Sequence, residues 1–296
     1  MFNMPAGNCN PAYVVITPVR DEEAYLPFTL RSMLAQSALP REWMIVDDGS
    51  KDRTGPLIEQ YAQRHDWIRV LHRADRGFRH AGTGVVDAFY DGYRRLQTQA
   101  WEFLVKLDGD LSFGPAFFRQ ALAQFASQPR LGIAGALLYE RAGRELRPEN
   151  GPRFHARGAT KIYRRRCWEE IGGLIHSPGW DTVDEVRANM LRWTTGTIEG
   201  LTAVHQRVAG AAGSRWGHWV KLGEAAYVSG YHPLFMAARC VYRAPSPPYL
   251  LGALGMAWGY LAGCLGRVRQ TRDPALVQYV HRQQWGRLCG RESVWR

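Results

Sequence analysis

Cysteine is scarce and unpatterned in this chain. Cys9, Cys167, Cys240, Cys264 and Cys289 show no CxxC or other metal-ligand spacing, and an odd, dispersed set of five excludes a disulfide framework. Reduced thiols in a cytosolic protein are the expectation. The opening stretch Met1-Phe2-Asn3-Met4-Pro5 has neither a basic cluster nor an apolar run, so no signal peptide is expected. Acidic residues almost vanish toward the other end. From Arg239 to Arg296 nine arginines and no lysine face only Asp273 and Glu292, so this segment holds seven of the eleven net positive charges. Such a surplus suits nucleic acid or an anionic membrane surface. Helix-turn-helix, zinc-finger and RNP-type signatures are all missing, and no nucleic-acid partner is expected. A serine or cysteine nucleophile with a paired base is also missing, which argues against covalent catalysis.

What is present is enough for a full core: 296 residues with 46% hydrophobic content. Tyr13-Val14-Val15-Ile16-Thr17-Pro18 reads as a buried first strand, and Asp21-Glu22-Glu23 opens a helix over Tyr25–Gln36. A second strand, Glu42–Val46, ends in Asp47-Asp48-Gly49-Ser50, and a helix over Thr54–His65 is capped by Asp52 or Thr54. Strand three is Ile68–Leu71, a helix covers Gly84–Gln97, and the fourth strand is Phe103-Leu104-Val105-Lys106-Leu107. Strands alternating with helices predict an α/β fold with a mostly parallel central sheet, Rossmann-like, whose ligands bind at the carboxyl ends of the strands.

Two carboxylates close that fourth strand. Residues at i and i+2 of a strand point to the same side, so Asp108 and Asp110, with Gly109 between them, can face one space. Mg²⁺ or Mn²⁺ takes oxygen ligands and is commonly held by one or two carboxylates plus substrate phosphates. The competing reading is a pair of solvated loop aspartates.

Farther on, a helix runs through Phe125, Gly132–Tyr139 and Ala159–Arg164 read as strands, and Arg141–Arg157 reads as a mobile surface loop. Asp181, Thr182, Asp184 and Glu185 cluster at the mouth of a helix that Thr182 could cap. Thr197–His205 ends a strand on histidine, and Arg207, Arg215 and His218 follow in a Gly-rich loop. Ala225–Arg243 reads as one apolar helix. Tyr249–Gly266 is uncharged with five glycines, and reads either as an interfacial helix flanked by Arg267, Arg269 and Arg272 or as a core or dimer-contact helix.

Val14–Glu22, Ile45–Thr54 and Lys106–Asp110, in order and at this spacing, resemble the signature series of family 2 glycosyltransferases of the GT-A fold. The resemblance spans roughly residues 12–205. It implies an inverting transferase using a nucleotide-diphosphate sugar, most often a UDP-sugar, and Mg²⁺ or Mn²⁺, with a sugar or lipid-linked hydroxyl acceptor. Thr17, Pro18, Arg20, Glu22, Asp48, Lys106, Asp108 and Gly109 would line the nucleotide-sugar pocket. Asp48 would accept from the base, and Arg76 and Arg79 would flank the diphosphate. Asp108 and Asp110 would bind the metal with His205. The acidic cluster would supply the base: Asp184 is preferred, and Asp181 and Glu185 stay as alternatives. The Gln-x-x-Arg-Trp motif of processive synthases is absent, so polymer extrusion is not expected. The domain plan is residues 1–243 for the GT-A unit, divided at 110 into nucleotide-sugar and acceptor halves, and 244–296 for a basic helical tail. Cell-envelope polysaccharide or glycolipid assembly on the inner membrane face is the implied setting. The competing readings are a catalytically silent scaffold and a nucleotidyltransferase, whose Gly-rich, lysine-bearing phosphate loop is not found.

Overall fold

The computed structural model describes residues 11–77, 83–142, 145–149, 155–207, 215–267, 270–271 and 273–294. Strand β1 (Tyr13–Val19) lies inside the sheet, buried along nearly its whole length. Its side chains alternate between two layers. Val14 and Ile16 meet Val86 and Phe89 of α3 (Thr83–Arg95). Tyr13 and Val15 join Leu26 and Leu30 of α1 (Leu26–Leu34) and Phe118 of α4 (Phe117–Ser127).

Beside β1 run β2 (Glu42–Asp47) and β4 (Phe103–Leu107), with β3 (Ile68–His72) outside β2, all parallel. Helix α2 (Thr54–Ala62) crosses between β2 and β3. Past β4 the sheet becomes mixed. β8 (Thr160–Arg164) pairs antiparallel with β4, and β6 (Leu131–Ala142), β9 (Thr194–His205) and β5 (Leu111–Phe113) complete the order β3-β2-β1-β4-β8-β6-β9-β5. β7 (Glu145–Pro148) pairs with the end of β6. The mostly parallel half with its flanking helices is as expected. The segment expected to be a mobile loop instead holds the end of β6 and β7, with 143–144 and 150–154 outside the described residues.

Helices α5 (Arg165–Ile171) and α6 (Trp180–Met190) follow β8. α6 starts at Gly179, whose φ of 83° only glycine adopts freely, rather than at a Thr182 cap. The helix expected over Ala225–Arg243 is two helices, α7 (Arg215–Val228) and α8 (Pro233–Arg243). Gly230, at φ 76°, and Pro233 separate them. His218, expected in a loop, lies on α7. α9 (Leu250–Ala262) ends in a wide turn, Gly263–Arg267, and α10 (Pro274–Leu288) begins where Asp273 Oδ1 accepts from the Leu276 amide at 3.1 Å. α9 crosses α7 at backbone contact. A methyl on Gly259 would sit 2.0 Å from the Val220 carbonyl oxygen, and one on Gly223 2.1 Å from that of Met256. Met256, Tyr260, Leu276 and Val280 share one apolar cluster with Val183 and Val186 of α6. A boundary at residue 243 falls inside this cluster.

Candidate active site

The carboxyl ends of β1, β2 and β4 lie side by side in the sheet, and β9 ends on His205 close to Asp110. On the β1–β2 side, Arg20 donates to the Asp48 carbonyl at 2.6 Å and to Asp75 Oδ1 at 2.7 Å. The Gly77 amide, Arg20 and Lys51 hold the Asp75 carboxyl down at about 2. Arg73 and Arg76 both donate to the Asp48 carboxylate. Arg76, expected beside a diphosphate, therefore lies on the Asp48 side. Arg79 is outside the described residues. Thr17 is fully buried and its hydroxyl accepts from Trp43 Nε1 at 2.9 Å, so its side chain braces the core rather than facing a ligand, while Pro18 is half-buried. Glu22 is buried, and its carboxylate accepts from Arg207.

At the end of β4 the chain turns through Gly109. A Cβ there would meet the Val19 side chain at 2.7 Å, which is why glycine separates the two aspartates. Lys106 Nζ donates to Asp108 and rests 5.4 Å from the Trp180 ring centre. Asp110 is followed at once by β5, whose antiparallel register pairs Leu111 with His205. That pairing brings together two segments far apart in sequence. Ligand atoms of Asp108, Asp110 and His205 all lie within 4.8 Å of one another.

His205 Nδ1 is engaged by the Glu149 carboxylate, so Nε2 is the nitrogen left to face an ion. Burial works against charging this imidazole, but the hydrogen bond and charge of Glu149 outweigh it and raise its pKa. Glu149 is held in turn by Arg157. Burial first, and then the charge of Asp108, raises the Asp110 carboxyl above its usual range, with His205 and Arg207 pulling the other way. Two close carboxylates with an imidazole form a donor set for a hard or borderline divalent cation, and Mn²⁺ suits the mixture of oxygen and nitrogen. Arg207 Nε lies 3.7 Å from Asp110 Oδ2, and its guanidinium sits 4.9 Å over the Tyr25 ring.

The three acidic residues of α6 occupy very different surroundings. Asp184 has no exposed surface, and its two oxygens accept from Lys161 Nζ, each at 2.8 Å, and from the Tyr163 hydroxyl at 2.6 Å. Burial works against a charge on Lys161, yet the charges of Asp184, Glu185 and Asp181 outweigh it and keep the ammonium protonated. Glu185 is equally enclosed, accepting from the Ala156 amide and pairing with His155, both at 2.7 Å. Asp181 alone of the three is partly exposed. A Cβ on Gly158 would come within 3.5 Å of its Oδ2, and the next residue, Ala159, accepts the Asp108 amide at 2.9 Å. Asp181 thus borders the Asp108 turn, whereas Asp184 and Glu185 lie beneath it.

Glu149, Arg157, Lys161, Tyr163 and His155 are site-supporting residues that sequence reasoning does not single out. Lys161 had a usable signal: a lysine inside a strand covered on both faces demands a buried counter-charge. Glu149 had none, because its role depends on a pairing across 56 positions.

The strand order and flanking helices are those of an α/β fold of GT-A type. The model of glycosyl transferase family 2 matches residues 14–179, more than half of the chain, and the chain belongs to that family. It is 30% identical over 135 residues to the uncharacterized glycosyltransferase EpsJ of Bacillus subtilis, covering 45% of this chain and 35% of that protein. It is 30% identical over 103 residues to an undecaprenyl-phosphate mannosyltransferase of Micrococcus luteus, covering 34% and 39%. The matches thus span well under half the length of these relatives. Among solved structures, the mannosyltransferase PcManGT from Pyrobaculum calidifontis, in complex with GDP-Man and Mn²⁺, aligns with a TM-score of 0.57 at 16% identity. That alignment covers 97% of this chain and 77% of the other.

Proposed function

We propose that this enzyme transfers a sugar, with inversion, from a nucleoside-diphosphate donor to an acceptor hydroxyl, with Asp108, Asp110 and His205 holding Mn²⁺ or Mg²⁺. The observation that carries the reading is the convergence of those three ligand groups within 4.8 Å, next to a partly exposed Asp181. A cation there would neutralise charge developing on the departing diphosphate. Arg207, already directed at Asp110 and Glu22, supplies a fixed positive charge on the same side.

Asp181 is the base in this reading, in place of the preferred Asp184. A base must reach the proton that it removes, and Asp184 is sealed beneath Lys161 and Tyr163 with both oxygens occupied. Lys161 also donates to the Asp181 carbonyl, so the buried pair fixes the first turn of α6 and aims Asp181. The acceptor attacks directly, the donor C–O bond breaks, and the hydroxyl proton passes to Asp181. Cys167 lies in the core with its thiol pushed up by burial, which fits a route without a thiolate nucleophile.

Asp48 faces the base side of the cleft. Its carboxylate offers about four lone-pair sites, and two arginines leave room for an imide N–H such as uracil presents. UDP-sugars are therefore the first donors to test, with GDP-sugars as the comparison and a sugar or lipid-linked hydroxyl as the acceptor class. The test is thermal stabilisation by UDP- and GDP-sugars with Mn²⁺, followed by donor turnover. Asp110→Asn should abolish the Mn²⁺-dependent stabilisation. Asp181→Asn should keep it while lowering transfer by roughly 10²- to 10⁴-fold. Full turnover in Asp181→Asn would remove the base from this residue, and unchanged metal dependence in Asp110→Asn would remove the ion.

A further inference from the structure

Helix α9 is built inside out for a helix surrounded by water. An amphipathic surface helix turns its large apolar residues to the core and its polar ones to solvent. Here Gly252, Gly255, Gly259 and Gly263 face α7, meeting Trp219, the Val220 backbone and Tyr227. Leu250, Leu254, Trp258, Leu261 and Leu265, at spacings of three and four, form the opposite stripe and are 55% to 78% exposed. Tyr242 on α8 is 85% exposed. A contiguous exposed apolar face of this kind marks an interaction surface.

Charge decides what covers it. From Arg239 to Arg296 there are nine arginines, no lysine and two acidic residues. Pairing two copies through this face would bring two such arginine-rich segments together. An anionic lipid surface would attract the net positive charge of this segment and receive the leucines among its acyl chains. Length sets the depth. Thirteen residues of α9 span about 20 Å, short of the roughly 30 Å of a hydrocarbon core, and none of the described helices is long and apolar enough to cross a membrane. Exposed Trp and Tyr are the residues enriched at the headgroup level.

We propose that the face formed by Leu250, Leu254, Trp258 and Leu261 of α9, with Leu265 of the turn that follows it, docks this enzyme in plane on an anionic lipid bilayer. The glycine face of α9 lies on α7, which leaves the leucine face turned outward.

The test is co-sedimentation of the full chain, without nucleotide, with phosphatidylcholine vesicles and with vesicles also containing phosphatidylglycerol. The wild type should bind the anionic vesicles at least about tenfold more tightly than the neutral ones, and added salt should weaken the binding. Leu254→Asp/Trp258→Asp should lose at least about tenfold of that binding while its melting temperature stays unchanged. Wild-type protein left in the supernatant with both vesicles would overturn the proposal, as would undiminished binding by the double variant. A vesicle-free dimer that the same double variant converts to monomer would also overturn it, by assigning the face to a second copy. Since no arm reads transfer, loss of the transferase reading would leave these outcomes intact.

Discussion

Asp108 and Asp110 are the same residue type, two positions apart, yet their neighbours make them different groups. Lys106 pairs with Asp108 from within the strand, whereas Asp110 is half-buried against the charge of its neighbour and has its carboxyl raised. His205 completes the set only because Glu149 fixes which of its nitrogens is free. Orienting partners of metal-bound histidine are worth roughly 10- to 100-fold in metal affinity. Glu149→Gln is therefore expected to weaken Mn²⁺ binding by that factor while leaving the fold intact, measured by isothermal titration of the purified chain. An affinity equal to wild type would mean that Glu149 does not orient His205.

At the scale of elements, α6 is moored to the sheet by ionised groups rather than by a cap. Lys161 and Tyr163 on β8 grip Asp184, and His155 grips Glu185. Burial lowers the tendency of His155 to charge, but the charge and hydrogen bond of Glu185 outweigh it, so its pKa is raised in the folded state. A raised folded pKa gives stability that is complete below the unfolded value of about 6.5 and is lost as pH climbs through the folded value. Urea unfolding between about pH 6 and about pH 8 should show wild type losing more stability than His155→Gln over the same interval. Parallel losses in the two proteins would assign the pH dependence to other groups.

How much of this was legible before folding follows from element type. Strands β1, β2 and β4 are nearly continuous apolar runs ended by polar turns, because parallel strands covered on both faces leave little alternation to confuse. The Asp pair was visible for the same reason. β5 is three residues long and β7 is four and exposed throughout, so no period marks them. The break at Gly230 was readable as glycine before proline, but the apolar content on both sides masked it. The burial of Asp184 and Glu185 could not be read from α6 itself. Helix-start acids look alike in sequence, and only Lys161 and His155, arriving from other elements, separate the sealed pair from Asp181.

For the whole molecule, the tail is a matter of shared core. Met256, Tyr260, Leu276 and Val280 are each under 9% exposed and fill a cluster with residues of α6, α7 and α8. Removing residues 244–296 strips four large side chains from that cluster, each worth about 2 kcal/mol or more. The truncated chain is expected to melt at least about 10 °C lower than the full chain or to aggregate, by calorimetry or light scattering. A soluble 1–243 fragment with an unshifted melting temperature would show instead that the tail is an appendage.

The pairing of Leu111 with His205 also imposes an order of events on a nascent polypeptide. Both aspartates leave the ribosome well before the strand that carries the imidazole. Assembly of the three ligand groups then waits for the ninth strand to slot in beside the fifth, so an intermediate that stalls earlier presents the two carboxylates alone.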